Sequence, residues 1–283
     1  MRVISRLDIK NEFVIKGIHL EGLRKVGDPV ELAIDYYRAG IDEIIFMDAV
    51  ASLYDRNNVF HIIEQACKQV FIPITIGGGI RSLSDIEQAL IAGADKVAIN
   101  TGAVNSPQLI NEAVLRFGSQ CIVASIEAKS QSLNQGSEKF WQAYIDNGRE
   151  STGKNLIEWV KELSDRGVGE ILITSVDQEG TKRGFDVELI KLVNDAVNVP
   201  VIACGGLGEK KHIQQLLNNT APSAIACASV LHYKKQSIEE IKTTIREQGF
   251  SVREPDKNID TAVLQESKHL NLNDSNLPLG ALV

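Results

Sequence analysis

The strongest constraint on the fold is an alternation of short, apolar, β-branched runs with longer amphipathic stretches, which occurs eight times. The amphipathic stretches have helical spacing, and several begin at Ser or Asp and end at Gly, which is typical of helix caps. Successive parallel strands need a crossover connection, so this alternation predicts a parallel sheet. The eight strands are predicted at Val3–Ile9, Ile44–Asp48, Ile72–Ile76, Val97–Asn100, Ile122–Glu127, Ile171–Ser175, Val201–Cys204 and Ala224–Ala228.

Eight such units in about 250 residues fit a closed (β/α)8 TIM barrel better than an open sheet. A doubly wound open sheet should carry the dinucleotide signature G-x-G-x-x-G after its first strand, and none is present there. The chain also repeats itself: "GIDEIIFMDAVAS" is similar to "GVGEILITSVDQEG", and "VFIPITIGGGI" is similar to "VNVPVIACGGL". The repeat predicts an internal duplication of two half-barrels with four units each.

Composition limits the classes of partner. The chain has 283 residues and a net charge of −7, which argues against nucleic acid as the main partner. No stretch is long and apolar enough for a signal peptide or a membrane span, so we expect no membrane association and a cytoplasmic location.

The barrel pattern stops near Arg253, which predicts a barrel domain over 1–253 and a flexible C-terminal tail over 254–283.

Carboxylates follow two of the predicted strands. Asp8 ends the first strand and Glu127 ends the fifth, at matching points of the duplication. Active sites of such barrels lie where strands end, so the two residues are candidates for a proton-transfer pair. Either carboxylate alone could instead form an ion pair with a neighbouring lysine, Lys10 or Lys129, and close its strand end.

Glycine-rich turns occur at equivalent places in the two halves. Backbone N–H groups in such turns can bind an anion, although a lone Gly-Gly pair is usually only a tight turn. Two equivalent turns predict a substrate with a phosphate at each end. The first candidate site comprises Gly78, Gly79, Asn100 and Thr101, and the second comprises Gly205, Gly206, Ala228 and Ser229.

Two loops at the same end of the barrel are further candidates. The loop after the sixth strand contains Thr174 and Gly180 and is rich in donors, as expected of a lid or a phosphate contact. The segment 131–153 is longer than most connections, which favours a functional hairpin over the mouth. No cluster of His, Asp and Glu has the spacing of metal ligands, so we predict no metal and no cofactor.

Charged residues also precede four of the strands, at the opposite end of the barrel. Two are basic and two are acidic, and from the charge pattern alone we interpret them as salt bridges that close the barrel floor. They are Arg2, Glu43, Lys96 and Glu170.

Residues 1 to about 253 resemble the cyclase subunit of imidazole glycerol phosphate synthase. The motifs occur in order: "RLDIK", "FVIKG", "GDPVELA", "IDEIIFMD", "IGGGI", "GADKVAIN", "NGRESTG", "GEILITSVDQEGTKRGFD" and "ASVLHY". The resemblance implies a (β/α)8 barrel enzyme of histidine biosynthesis that receives ammonia from a separate glutaminase subunit, its partner in a heterodimer. Its substrate would be a doubly phosphorylated ribulosyl aminoimidazole carboxamide intermediate. Its products would be imidazole glycerol phosphate and aminoimidazole carboxamide ribotide.

The resemblance also implies roles by position. Asp8 and Glu127 match the family's acid/base pair, and Lys16 matches a lysine of the loop over the active site. Asn100 and Thr174 match polar contacts beside the reacting centre, and the glycines match the two phosphate sites. The charged floor residues match the gate through which ammonia enters, and Asp95 matches a contact with the glutaminase.

Two positions depart from the family pattern. Glu127 and Glu179 stand where the family usually has aspartate. A misplacement of about 1 Å can cost on the order of 10²-fold in rate when catalytic geometry is tight. These departures and the tail suggest a paralogue that makes an amidine on a surface-polysaccharide sugar with glutaminase-derived ammonia. Two further alternatives are a related half-barrel sugar isomerase, which needs no ammonia gate, and a non-catalytic barrel that activates or anchors a glutaminase.

Overall fold

Eight parallel strands pair side by side in chain order and close into a barrel, because the last of them pairs with the first. The computed structural model describes residues 1–49, 59–132 and 139–254. The predicted tail lies, apart from Glu254, outside the described residues, so the domain boundary stays a prediction. The barrel strands are β1 Arg2–Lys10, β4 Glu43–Asp48, β5 Ile74–Gly77, β6 Lys96–Ile99, β7 Ile122–Gln131, β10 Glu170–Ser175, β11 Val201–Cys204 and β12 Ala224–Cys227.

The predicted fold class and all eight predicted strands are confirmed, with small shifts at strand ends. The strand predicted at Ile72–Ile76 begins at Ile74, just after Pro73, which has no N–H to donate to a ladder. The fourth and eighth strands stop one residue early, before Asn100 and Ala228. These residues have ψ of −86° and −85° and therefore leave the extended conformation.

Two hairpins extend the barrel at its mouth and display the duplication directly. Strands β2 Phe13–Ile18 and β3 Glu21–Gly27 follow β1, and strands β8 Phe140–Ile145 and β9 Glu150–Asn155 follow β7. The second hairpin lies in the predicted segment 131–153, of which 133–138 lie outside the described residues. Each half-barrel thus begins with a long strand that continues into an antiparallel hairpin.

Helices connect the strands around the outside. Helix α1 shows how their starts are encoded, because the Asp28 side chain accepts from two backbone N–H groups and Pro29 occupies the first turn. The described helices are α1 Pro29–Arg38, α2 Val59–Ala66, α3 Leu83–Ile91, α4 Thr101–Asn105, α5 Gln108–Phe117, α6 Leu156–Asp165, α7 Val187–Ala196, α8 Lys210–Leu217, α9 Ser229–His232 and α10 Ile238–Glu247; Ser119–Cys121 forms a 3-10 turn.

The barrel interior is apolar between its two charged ends. Ile4, Ile45, Leu172 and Ile202 belong to one buried cluster inside the strands. Packing of this kind fills the lower barrel with side chains, as in other barrels of this class. Among the described residues of β1, the charged side chains that point to the interior lie above and below this apolar cluster.

A buried charge network fixes the last helix to the strands. Lys242 of α10 is fully buried, and its Nζ donates to Asp42 Oδ1 at 2.6 Å and to the Arg253 carbonyl at 2.8 Å. Asp42 also accepts from the Val3 backbone N–H at 2.8 Å and from Arg253 Nε at 3.2 Å. One carboxylate thereby joins α10, β1 and the end of the predicted barrel domain.

Replacing Asp42 by Asn should destabilise the barrel strongly, because the Lys242 ammonium would stay buried without its anionic partner. We expect the free energy of unfolding in urea to fall by about 3 kcal/mol. The matched control is Asp195→Asn, which breaks an exposed pair with Lys191 and should change stability by less than about 0.5 kcal/mol. Equal effects of the two substitutions would contradict this role of the network.

Candidate active site

Asp8 lies at the mouth end of β1 and is bound by two buried cations. Its Oδ1 accepts from Arg6 Nε at 2.7 Å, and its Oδ2 accepts from Lys16 Nζ at 2.7 Å. Lys16 reaches Asp8 from β2, because the first hairpin folds back over the strand end, and it also forms an ion pair with Glu179. The partners of Asp8 are therefore Arg6 and Lys16, and the alternative pairing with Lys10 is wrong.

The ion pairs determine the charge of Asp8. Burial by itself would raise the pKa of Asp8, but the charges of Arg6 and Lys16 outweigh it and hold that pKa well below its usual range. Burial would similarly lower the pKa of Lys16, yet Asp8 and Glu179 hold it above its ordinary value. Both groups are consequently charged at neutral pH.

Glu127 lies at the equivalent point of β7 and has neutral partners. Its Oε2 accepts from Asn100 Nδ2 at 3.1 Å and from the Gly148 N–H at 2.8 Å. Burial raises the pKa of Glu127 to about 7, despite the opposing charge of Arg6 and the hydrogen bond from Gly148. Lys129, the alternative partner, instead donates to the Gly148 carbonyl at 3.3 Å.

The two carboxylates face each other across the mouth. Three strands separate β1 from β7 in either direction around the barrel, so Asp8 and Glu127 lie on opposite sides. Their environments hold their pKa values far apart, which is the usual physical basis for distinct acid and base roles. The duplication predicted this placement, and the difference in charge comes from their different neighbours.

Arg6 is a buried site residue that the sequence reasoning missed. It is 1% exposed, and its Nη1 donates to Thr174 Oγ1 of β10 at 2.9 Å. The available signal was an arginine two positions before Asp8 in an otherwise apolar run, because residues i and i+2 of a strand share a face. Thr174 is completely buried and is held at the site by this bond.

The first glycine turn lines a recess next to Glu127. Gly78, Gly79, Asn100 and Thr101 line it together. Gly78 has a φ of +89°, and a Cβ there would lie 2.2 Å from the Asp48 carbonyl oxygen, so only glycine fits. Binding of phosphate at this turn stays a prediction.

The second glycine turn forms a matching recess in the other half-barrel. Its lining includes Gly180, Gly205, Gly206, Ala228 and Ser229. Gly206 has a φ of +96°, and a Cβ there would lie 1.9 Å from the Gly184 carbonyl oxygen.

The residues that begin the short helices at the two recesses adopt the same conformation. Asn100 has φ −120° and ψ −86°, Ala228 has φ −130° and ψ −85°, and neither side chain caps its helix. The two halves therefore present similar backbone to a ligand.

The loop after β10 packs against the first hairpin and against the end of β7. The His19 N–H donates to the Glu179 carbonyl at 2.8 Å, and Asp177 Oδ2 accepts from the Ser130 N–H at 2.8 Å. A Cβ on Gly180 would lie 2.2 Å from the Gly17 carbonyl oxygen. These close contacts bring Glu179 to Lys16 and draw the first hairpin over the mouth.

The four charged floor residues form a closed ring. Arg2 contacts Glu43 and Glu170, each at 2.5 Å, and Lys96 contacts Glu43 at 3.3 Å and Glu170 at 2.7 Å. The predicted salt bridges are therefore present, with each cation bound to both anions. Passage of ammonia through this ring stays a prediction.

Asp95 lies beside the floor ring and is exposed. Its Oδ2 accepts from the Ile74 N–H at 2.8 Å, which fixes the side chain at the surface. Its contact with a glutaminase stays a prediction.

In the part of the chain that the structure describes, no helix is long and apolar enough to cross a membrane, and no group of three or more His, Cys, Asp or Glu residues could hold a metal ion.

Comparison with known proteins identifies the family of the chain. Residues 2–237 match the family described as "Histidine biosynthesis protein". A Legionella pneumophila protein named "Imidazole glycerol phosphate synthase subunit HisF" is 56% identical over 209 residues, covering 74% of this chain and 96% of the relative. A protein of the same name from Hydrogenobaculum sp. (strain Y04AAS1) is 46% identical over 252 residues, covering 89% of this chain and 98% of the relative. The chain belongs to the histidine biosynthesis protein family and resembles its HisF members over the whole barrel.

The raised pKa of Glu127 predicts a pH dependence of stability. Folded Glu127 keeps its proton up to about pH 7, whereas the unfolded chain releases it near pH 4.5. The free energy of unfolding of the wild type should therefore fall, relative to Glu127→Gln, as pH rises from 4.5 to about 7, by on the order of 3 kcal/mol in total. Urea unfolding of both proteins at several pH values measures this difference. Parallel curves would contradict the raised pKa.

Proposed function

We propose that the chain is the cyclase subunit of an imidazole glycerol phosphate synthase, an enzyme of histidine biosynthesis. It uses ammonia to convert a doubly phosphorylated ribulosyl aminoimidazole carboxamide intermediate into imidazole glycerol phosphate and aminoimidazole carboxamide ribotide. One observation carries the proposal beyond family membership. An ionised carboxylate and a carboxyl group with a pKa of about 7 face each other between two equivalent glycine turns.

The substrate matches this arrangement at both ends. Backbone N–H groups of the Gly78–Gly79 turn would bind one phosphate, and those of the Gly205–Gly206 turn would bind the other. The part of the substrate between its phosphates would then lie between Asp8 and Glu127. Binding energy from the two phosphates would hold the reacting atoms in place while the ring closes.

Asp8 and Glu127 would contribute different chemistry. Asp8 stays ionised at neutral pH, so it would stabilise the positive charge that develops as ammonia adds to the substrate carbonyl. Glu127 is poised to exchange a proton near pH 7, so it would protonate a leaving oxygen and take up a proton from nitrogen. Asn100 would orient the Glu127 carboxyl through their hydrogen bond.

Ammonia would come from a glutaminase subunit in a heterodimer. The floor ring closes the barrel end opposite the mouth, and the exposed Asp95 lies beside it. A glutaminase docked on the floor would release ammonia at the ring, on the barrel axis. The proposal that these four residues form a gate rests on the ring geometry and on the family resemblance.

A second candidate is the same ammonia chemistry on a different substrate, namely amidine formation on a surface-polysaccharide sugar. The specific observation in its favour is that two carboxylate side chains at the mouth are longer by one methylene than the family's usual residues. Glu127 and Glu179 are both longer than the family's usual aspartates, and both are engaged, with Glu179 bound to Lys16. A site rearranged in this way fits a change of substrate that retains Asp8, the glycine turns and the floor ring.

The assay that tests the main proposal follows ammonium-dependent loss of the ribulosyl intermediate with the purified chain. Wild type should turn over, and Asp8→Asn and Glu127→Gln should each lower kcat by at least about 10²-fold, because each removes a group that acts on the reacting atoms. Glu112→Gln, at an exposed position of α5, is the matched control and should keep wild-type activity.

The other outcomes separate the alternatives. A folded wild type without turnover would contradict the histidine reaction and favour the sugar substrate. Turnover that survives both carboxylate substitutions would contradict the assigned roles. A barrel that only activates or anchors a glutaminase would do so equally well with Asp8→Asn.

A further inference from the structure

Arg6 lies inside the barrel, one layer below the reacting groups. Residues 2, 4, 6 and 8 of β1 point to the interior, since side chains two apart share a face and lie about 7 Å apart along the strand. Arg2 belongs to the floor ring, Ile4 to the apolar cluster and Asp8 to the mouth. The Arg6 guanidinium therefore separates the apolar interior from the carboxylates.

Two groups hold the guanidinium in place. Nε donates to Asp8 Oδ1 at 2.7 Å, and Nη1 donates to Thr174 Oγ1 at 2.9 Å, with Cys204 Sγ at 3.7 Å from Nη1. Thr174 is on β10 and Cys204 is on β11, so the side chain crosses the interior from β1 to the other side. A side chain bound in this way has little freedom, and it aims its Nε–H at one particular oxygen of Asp8.

The charges around Arg6 balance. Two cations, Arg6 and Lys16, lie with two carboxylates, Asp8 and Glu179, and all four are nearly fully buried. His232 of α9 and Glu127 of β7 also interact electrostatically with Asp8, and burial lowers the pKa of His232 to about 4, so its imidazole is neutral at pH 7. Without Arg6, Lys16 alone would have to neutralise both carboxylates. A buried excess of negative charge is costly, so one carboxylate would then take up a proton at a higher pH than in the wild type. Asp8 would lose one of the two cations that contact it at 2.7 Å, and it is the group expected to take up the proton.

We propose that Arg6 is a positioning residue that keeps Asp8 ionised and oriented, so that Asp8 supplies charge and Glu127 alone exchanges the proton. The part of this proposal that concerns the reaction rests on the proposed function. The part that concerns the charge of Asp8 does not, and it is measurable without substrate.

The first test is a carboxyl ¹³C NMR titration of the full chain labelled at aspartate, with the Asp8 signal assigned by its loss in Asp8→Asn. In the wild type the Asp8 signal should not titrate down to the lowest pH at which the protein stays folded. In Arg6→Gln the Asp8 signal should titrate within the pH range in which the protein stays folded, because loss of a neighbouring cation raises the pKa of a carboxyl group by about one to three units. In Arg6→Lys, which keeps the cation, Asp8 should stay ionised. An Asp8 signal that is unchanged in Arg6→Gln would overturn the proposal.

The second test is ammonium-dependent turnover at constant free ammonia across pH. Arg6→Gln should lower kcat by roughly 10²-fold with little change in KM, because the change acts on the reacting geometry and not on phosphate binding. In Arg6→Gln, activity should fall at acidic pH values at which the wild type stays active. In Arg6→Lys, this fall at acidic pH should be absent. Arg116→Gln, which breaks an exposed pair with Glu87, should leave kcat and the titration unchanged.

The outcomes separate this inference from the proposed function. No turnover by the folded wild type contradicts the proposed function, while the NMR titration still decides the role of Arg6. A loss confined to KM, or an unchanged pH profile in Arg6→Gln, would overturn the positioning role. Should Arg6→Gln fail to fold, Arg6→Lys carries the kinetic test. Its shorter side chain should lower kcat, since it loses the fixed geometry with Thr174, and a wild-type kcat would overturn the proposal.

Discussion

The buried ion network at Asp8 is the interaction on which the mouth of the barrel depends. Taking a carboxylate out of water is costly unless cations and hydrogen bonds replace its hydration. Arg6 from β1 and Lys16 from β2 meet that requirement, and Glu179 from the loop after β10 balances the extra charge. The network thereby fastens the first hairpin and this loop over the strand ends. Buried ion pairs are weak evidence for stability in themselves, so their concentration at a cleft indicates function.

The duplication produces two halves with similar backbone, and different side-chain contacts in the two halves give the two carboxyl groups different pKa values. Both begin with a long strand that ends in a carboxylate and continues into a hairpin. In one half the carboxylate has two cationic partners, and in the other it has an amide and a backbone N–H. Symmetric backbone thus places two acids on opposite sides of the mouth, and unequal neighbours give them different charges. The glycine turns of the two halves are alike, as expected of two sites that we propose bind the same chemical group.

Prediction from sequence succeeded where local pattern determines structure. Strand–helix alternation fixed the fold class, and strand ends located Asp8, Glu127 and the glycine turns. Prediction from sequence failed for ion pairs and hydrogen bonds that join residues distant in the chain. Lys10 and Lys129 were the obvious ion partners by proximity, yet Asp8 pairs with Lys16, which only the hairpin brings near. Arg6 stayed unnoticed because its partner Thr174 is 168 residues away and meets it only when the barrel closes.

The central claim is that the two glycine turns hold the two phosphates of one substrate, with its reacting atoms between Asp8 and Glu127. The most direct measurement is a crystal structure of the Glu127→Gln chain with the doubly phosphorylated ribulosyl intermediate bound. The account predicts one phosphate against Gly78 and Gly79, the other against Gly205 and Gly206, and the ribulosyl carbonyl between the side chains at positions 8 and 127. A substrate bound through one turn only, or with its carbonyl outside the two carboxyl positions, would contradict the account.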